Sequence, residues 1–367
     1  MKILMLNYEF PPLRVALEMQ NNKKVLMLAP TPFFSDRGCH IRILNSYLKL
    51  KKEGFEIDLI TYPLGRDILN IKPIRVSKVW GYKKISPGFS IYKPFLDILM
   101  YVKAKKLMKE REYDFIYSHL HEGALIGILL KKKFGKKVVF DAQGSLTGEL
   151  SSQGTIKKRG LASKIIWSME RYIIENSDEI ITSTEGLKKF MLTNFKIKKI
   201  SIQKDFPDKK LFNINVNPAR LNLPKNKKIV VYLGGLQLYK GINYLIKAIP
   251  FIEKEFHFLL MGYPIDNTKR LAKKLRIEDR ITFTGAIPYE KAASYLKLGY
   301  IAISPKTLES GEANAKIYNY IAMNLPVVSF DMPETRQIAK EFPKAKFYFA
   351  KERDVKDLAK KINGVRR

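Results

Sequence analysis

Ser310-Gly311-Glu312-Ala313-Asn314-Ala315-Lys316-Ile317-Tyr318-Asn319-Tyr320-Ile321-Ala322-Met323-Asn324-Leu325-Pro326-Val327-Val328 reads as three pieces: a small, polar loop, a short amphipathic helix, and an apolar strand running to Phe330. Backbone N–H groups at a helix start attract anionic oxygens, and Lys316 adds a full positive charge in the first turn. A loop-helix-strand unit of this kind, late in a long chain, suits a phosphorylated ligand. Lys316 and the 310–315 loop are the candidates for phosphate, and Glu309 and Glu312 are the carboxylates available for sugar or ribose hydroxyls. Where a further carboxylate would hold a hydroxyl, position 319 is Asn319.

Working outward from this unit, short apolar runs alternate with helical patterns of about 10–18 residues. Strands are expected at Lys24–Ala29, Glu56–Thr61, Asp114–Ser118, Lys137–Asp141, Glu179–Ser183 and Ile200–Gln203. A second series is expected at Lys228–Leu233, Phe256–Met261, Ile281–Thr284, Tyr300–Ile303, Val327–Phe330 and Lys346–Phe349. Such alternation implies parallel sheets covered by helices on both faces. The expected fold class is therefore α/β, with two Rossmann-like domains facing across a cleft. Residues 24–205 form the first and 228–367 the second, with a Pro-, Asn- and Lys-rich linker at 206–227. Ligands in such sheets sit outside the carboxyl ends of the strands. Residues 1–23 stand apart: Lys2 to Pro12 repeats the pattern of Lys24 to Phe34 and reads as a duplicated leader strand.

A length of 367 residues fits two cores better than one, and a hydrophobic fraction of 46% is globular. One cysteine, Cys39, excludes an internal disulfide framework. No apolar run approaches the roughly 18–20 residues that span a bilayer. The first residues lack a signal-peptide cleavage pattern, so the expectation is a soluble, cytoplasmic protein. The net charge of +32 favours an anionic partner, either lipid headgroups or phosphorylated substrates. A plain lysine-rich bias with solvated faces is the competing reading. Nucleic acid ranks behind both, because no zinc-finger or RRM pattern is present.

Four further constellations carry chemistry. In Ser35-Asp36-Arg37-Gly38-Cys39-His40-Ile41-Arg42, Gly38 lets the backbone approach a ligand, and Arg37 and Arg42 can pair with phosphate. The alternative there is a capped helix start with solvated arginines. In Tyr232-Leu233-Gly234-Gly235-Leu236-Gln237-Leu238-Tyr239-Lys240-Gly241, paired glycines admit a diphosphate and Lys240 supplies charge; a plain tight turn is the alternative. Asp141, Gln143 and Ser145 leave one strand, and His119 and His121 end the strand before it, forming a polar cleft wall. No further ligand cluster supports a metal there. Lastly, Trp80 and nearby aromatics precede a helix carrying Lys103, Lys105, Lys106 and Lys109, a combination suited to an anionic membrane surface. A helix with a wet basic face is the alternative.

Together these blocks resemble the retaining glycosyltransferases of family 4, which have the two-Rossmann GT-B architecture, from about residue 24 to the end. Asp36-Arg37-Gly38 looks like that family's glycine loop after its first strand. Gly234, Gly235, Lys240 and Gly241 match its Gly-Arg/Asn-Leu…Lys-Gly block, with Gly235 where an Arg often stands. Lys316 through Val328 is similar to its Lys-x-x-Glu-Tyr-Met-Ala-x-Gly-x-Pro-Val-Val block. The resemblance implies transfer of a sugar from a nucleotide-diphosphate sugar to an acceptor hydroxyl with retention, without a bound metal or other cofactor. It implies Arg37, Gly38, Gly234, Gly235, Lys240, Lys316 and Asn319 on the donor side, and Gln143 and His119 on the acceptor side. Trp80, Lys103 and Lys106 would meet a membrane, with a lipid-linked or envelope glycan as acceptor. Three departures stand out. The two signature glutamates fall on Gly311 and Asn319, leaving Glu312 or Glu309 to replace the first. The family's cleft histidine falls on Gln143, and the chain stops at Arg367, short of the helix that usually crosses back. These departures keep open a catalytically impaired paralogue that binds nucleotide or membrane without transfer. A non-hydrolysing epimerase on the same fold would need acid and base side chains that the sequence does not display.

Overall fold

The computed structural model describes residues 23–83, 90–152, 160–307 and 314–366. The leader, Glu309 and Glu312 lie outside the described residues. The first sheet contains β1 (Lys24–Ala29), β2 (Glu56–Thr61), β3 (Ile74–Arg75), β4 (Phe115–His119), β5 (Lys137–Ala142), β6 (Glu179–Thr182) and β7 (Ile200–Ile202). The second contains β8 (Lys228–Leu233), β9 (Phe256–Met261), β10 (Ile281–Gly285), β11 (Ile301–Ser304), β12 (Val327–Phe330) and β13 (Phe347–Ala350). Both are parallel, in the orders β3-β2-β1-β4-β5-β6-β7 and β10-β9-β8-β11-β12-β13. In each the order reverses once, between β1 and β4 and between β8 and β11, and those reversals open the crevices where α/β sheets bind ligands.

Every expected strand is present with ends within about one residue, because each is an apolar run, buried along the central strands and half-buried at the edges such as β7 and β13. The two-residue β3 was not foreseen; Ile74 and Arg75 are too short a run to carry a periodic signal. In the first half the helices are α1 (Gly38–Lys52), α2 (Lys93–Glu110), α3 (Leu120–Phe134), α4 (Leu146–Ser152), α5 (Leu161–Asn176) and α6 (Glu185–Asn194). In the second half they are α7 (Ile242–Ala248), α8 (Asp266–Lys274), α9 (Ala292–Leu296), α10 (Lys316–Ala322), α11 (Pro333–Glu341) and α12 (Val355–Asn363). Local chemistry sets their limits. Gly135 closes α3 in the left-handed conformation, and the Thr184 hydroxyl accepts from Leu187 N–H to start α6.

Alternation along β1 divides the first core. Leu26 and Leu28 pack with Leu96, Met100, Ile126 and Leu130 of α2 and α3. Val25 and Met27 point the other way, toward Ile43 and Leu44 of α1. That second core runs on into the other half of the molecule through Phe212, whose ring lies 5.5 Å from that of Tyr289. Polar contacts accompany it. Arg66 bonds both Asp36 and Glu290 at 2.7 Å, Asp36 accepts from Tyr289 N–H at 2.7 Å, and Lys204 pairs with Glu341 at 2.6 Å. Loops leaving one sheet thus meet loops leaving the other, and the two carboxyl edges face each other.

Candidate active site

β8 runs out into Gly234, whose φ of 143° is open to glycine. The turn after β9 presses against it, since a Cβ on Gly262 would stand 1.8 Å from Gly234 O. Lys316 reaches over the same glycine: a Cβ on Gly234 would lie 3.1 Å from Nζ. The ammonium donates to Tyr232 Oη at 3.1 Å and sits 4.3 Å from the centre of that ring. Tyr232 Oη in turn donates to Gly235 O at 2.8 Å. Helix α10 is fixed there by Tyr320, which accepts from Leu233 N–H at 2.9 Å and donates to Ile303 O at 3.3 Å. Lys240 ends a single 3-10 turn before Gly241, whose φ is 87°. A Cβ on Gly241 would lie 1.9 Å from Pro305 O, so that turn abuts the exit of β11.

The sequence candidates Gly234, Gly235, Lys240 and Lys316 are therefore gathered around the reversal between β8 and β11. Asn319 lies one turn along α10 from Lys316 and is partly buried. Because α10 is only seven residues long, the positive character here rests on lysine charge more than on a helix dipole. Sequence reasoning missed Tyr232 and Tyr320, which hold Lys316 and its helix. It also missed Asn314, whose Oδ1 accepts from Ser304 Oγ at 2.8 Å and whose N–H donates to Glu334 at 2.7 Å. Among the described residues the buried Nδ2 of Asn314 has no hydrogen-bond partner. A separate shallow pocket opens beside Tyr318, but Asp205, Glu334 and Glu341 line it against Lys204. That acidic wall suits a diphosphate poorly.

On the opposite edge, the loop between β1 and α1 is wound around His40. Ser35 N–H donates to Nδ1 at 2.9 Å, which leaves Nε2–H to donate to Thr31 Oγ1 at 2.7 Å. Burial, reinforced by Arg37, holds this imidazole well below its ordinary pKa, so it stays neutral. Tyr263 donates to Ser35 O at 3.2 Å and brings the turn after β9 against this loop. Arg37 precedes α1 as its N-cap residue, and a Cβ on Gly38 would find no atom within 4 Å. Gly38 therefore stands at an open part of the cleft rim, with the half-buried Arg37 beside it.

Arg42 departs from its expected role as a phosphate partner. It is 2% exposed and donates through Nε to Asp141 at 2.8 Å, and through Nη1 to Asp205 and Gln203 O, each at 2.8 Å. Asp141 also accepts from His119 Nδ1 at 2.8 Å. Burial pushes the Asp141 carboxyl up, but Arg42 and His119 outweigh it and hold the pKa below the usual carboxylate range. Asp141 thus anchors β5 to α1 instead of pointing into the cleft. His119 is fully buried, and among the described residues neither its Nε2 nor the buried Nε2 of Gln143 just beyond β5 has a hydrogen-bond partner. Among the described residues no group of three or more His, Cys, Asp or Glu side chains could hold a metal ion.

Two Rossmann-like sheets facing through their carboxyl edges define the GT-B class of protein. Family comparison is more specific: residues 38–203 match the model "Glycosyltransferase Family 4", and residues 227–366 match "Glycosyl transferases group 1". The chain belongs to these glycosyltransferases. Among curated relatives, an uncharacterized glycosyltransferase of Haemophilus influenzae is 22% identical, with 87% of this chain and 84% of the relative covered. A D-inositol 3-phosphate glycosyltransferase of Corynebacterium glutamicum is 21% identical over 74% of this chain and 71% of the relative. Among solved structures, a sucrose-phosphate synthase of Thermosynechococcus elongatus superposes with TM-score 0.72 at 19% identity, covering 93% and 89% of the two chains. HepE of Anabaena, solved with UDP and glucose, gives TM-score 0.66 at 14% identity over 93% and 89%.

Proposed function

We propose that this protein transfers a sugar from a nucleotide-diphosphate donor to an acceptor hydroxyl with retention at the anomeric carbon. The observation that carries the donor side is Lys316 poised above the bare backbone of Gly234 at the sheet reversal. An ammonium beside a glycine turn can meet diphosphate oxygens without a side chain between them. In the reaction the bond from the anomeric carbon to the diphosphate breaks. The acceptor oxygen bonds on the same face, and the acceptor proton leaves with the nucleoside diphosphate. Lys316 and Lys240 stabilise the charge that develops on that leaving group, Asn319 holds a donor hydroxyl, and Arg37 and Gly38 form the facing rim. Glu312 or Glu309 supplies the sugar-side carboxylate, and Gln143 and His119 shape the acceptor side. Retention is supported by the likeness to family 4, and a nucleotide sugar by the UDP and glucose of HepE.

The acceptor is a lipid-linked or envelope glycan, met at the cytoplasmic face of an anionic membrane by Trp80, Lys103 and Lys106. Trp80 is 97% exposed and supports peripheral contact, while no helix among the described residues is long and apolar enough to cross a membrane. Replacing Lys316→Met removes a charge-assisted contact and is expected to weaken donor affinity roughly 10–100-fold by calorimetric titration. Unchanged affinity contradicts the donor site. Asn319 in place of an acid favours the second reading, a paralogue that binds without transfer. In that case Asn319→Glu leaves turnover absent, whereas an impaired enzyme gains activity.

A further inference from the structure

The layer formed by α2, α3 and α5 covers one face of the first sheet, with α3 packed between the other two. Its outer surface is unusually apolar. On α2, Leu96, Met100 and Ala104 are buried against the sheet, yet Phe95, Ile98 and Val102 at i, i+3 and i+7 are each more than half exposed. A helix that is apolar on both faces has an unused apolar face. On α5, Ile173 and Ile174 are buried beside Ser163 and Glu170, and Leu161, Ile165, Met169 and Tyr172 form a second outward apolar ridge. Leu161 is 76% and Ile165 61% exposed. Leu129 of α3 is exposed between the two ridges. Exposed apolar residues clustered on neighbouring helices in this way mark an interaction site.

Charge says what covers it. Lys105 and Lys109 of α2 crowd Lys133 of α3 closely enough to lower the proton affinity of that ammonium, Lys105 most of all. Lys132 lies 5.5 Å from the Tyr172 ring on the neighbouring ridge. Such crowding of like charges is relieved by an anionic partner. A second copy of the chain would set this cluster against itself on a molecule of net charge +32. In a parallel sheet the connecting helices run opposite to the strands, so Phe95 and Leu161 lie toward the edge that holds the cleft. The lysine cluster lies at the far end of the same face.

We propose that the α2–α3–α5 layer docks on an anionic bilayer, with α5 entering the headgroup region beside α2 so that the cleft edge is the apolar, deeper end. This rests on the peripheral membrane contact read above and adds α5, Leu129 and the orientation to it.

The test is co-sedimentation of the full chain with vesicles of phosphatidylcholine alone or mixed with phosphatidylglycerol, using three paired variants. These are Ile98→Asp with Val102→Asp, Leu161→Asp with Ile165→Asp, and Lys105→Glu with Lys109→Glu. Binding is expected only to the anionic vesicles and to fall steeply with salt, and each pair is expected to lose about tenfold or more in partitioning. All replaced side chains lie on the outer surface, and an unchanged melting temperature confirms folding. As a second readout, hydrogen exchange should show α5 amides protected by anionic vesicles in the wild-type chain. If the α2 pair abolishes binding while the α5 pair does not and α5 gains no protection, this inference fails and peripheral contact stands. If no form binds, both fail. Equal binding to neutral vesicles, or a concentration-dependent dimer that Ile165→Asp disperses, overturns the anionic bilayer as occupant.

Discussion

Asp97 shows how one side chain reports its surroundings. Tyr62, itself buried, donates to its carboxylate beside the half-buried Lys93–Glu122 pair. Burial raises its pKa to about 7, against the pull of Tyr62 and Lys93. A carboxyl whose folded pKa lies above its unfolded value lowers stability as pH rises between the two, and the penalty is complete above the folded value. Asp97→Asn keeps an acceptor for Tyr62 and removes the charge. The variant is expected to melt higher than wild type at pH 8, by a smaller margin at pH 5.5, and at the same temperature only near pH 3, below both values, measured by calorimetry. A gain as large near pH 3 as at pH 8 contradicts this origin. None of this was legible in the sequence, where Asp97 sits among apolar helix residues with no neighbouring signal. Lys316 was legible, because a lysine that opens a helix before an apolar strand carries its meaning locally. Tyr232, which cradles it from 84 positions away, was not.

At the scale of elements, strand positions were readable because two-sided burial writes continuous apolar runs into the chain. What the runs omit is long-range partnership. Arg42 looked like a loop-edge cation available for phosphate, yet its partners Asp141 and Asp205 lie 99 and 163 positions away and turn it into a clasp. That clasp ties α1, β5 and the segment after β7 together beneath the cleft. Removing one member of a buried pair leaves the other charge uncompensated, which typically costs about 3–5 kcal/mol. Arg42→Met is expected to destabilise by about that amount in urea denaturation. Loss of activity without loss of stability would instead return Arg42 to the ligand site. The outward ridges of α2 and α5 belong to this scale too. The aromatics and lysines around α2 flagged one of them, while α5 carries its exposed apolar residues in a pattern that sequence alone cannot tell from a core face.

For the whole molecule, the two sheet reversals face each other because loops leaving both sheets interlock through Asp36, Arg66, Tyr289 and Glu290. The sheet orders follow from alternating strands and helices, and the family likeness was readable in the order of short motifs. The acceptor side was less readable, since His119 turned out to be buried against Asp141. Whether the assembled cleft turns over a nucleotide sugar is best tested with a panel of UDP-, GDP- and ADP-sugars. Each would be scored for stabilisation by thermal shift and for nucleotide release with and without lipid extract. The account predicts that one donor stabilises the protein and releases its nucleotide, faster when lipid acceptor is present. No stabilisation and no release with any donor would contradict it.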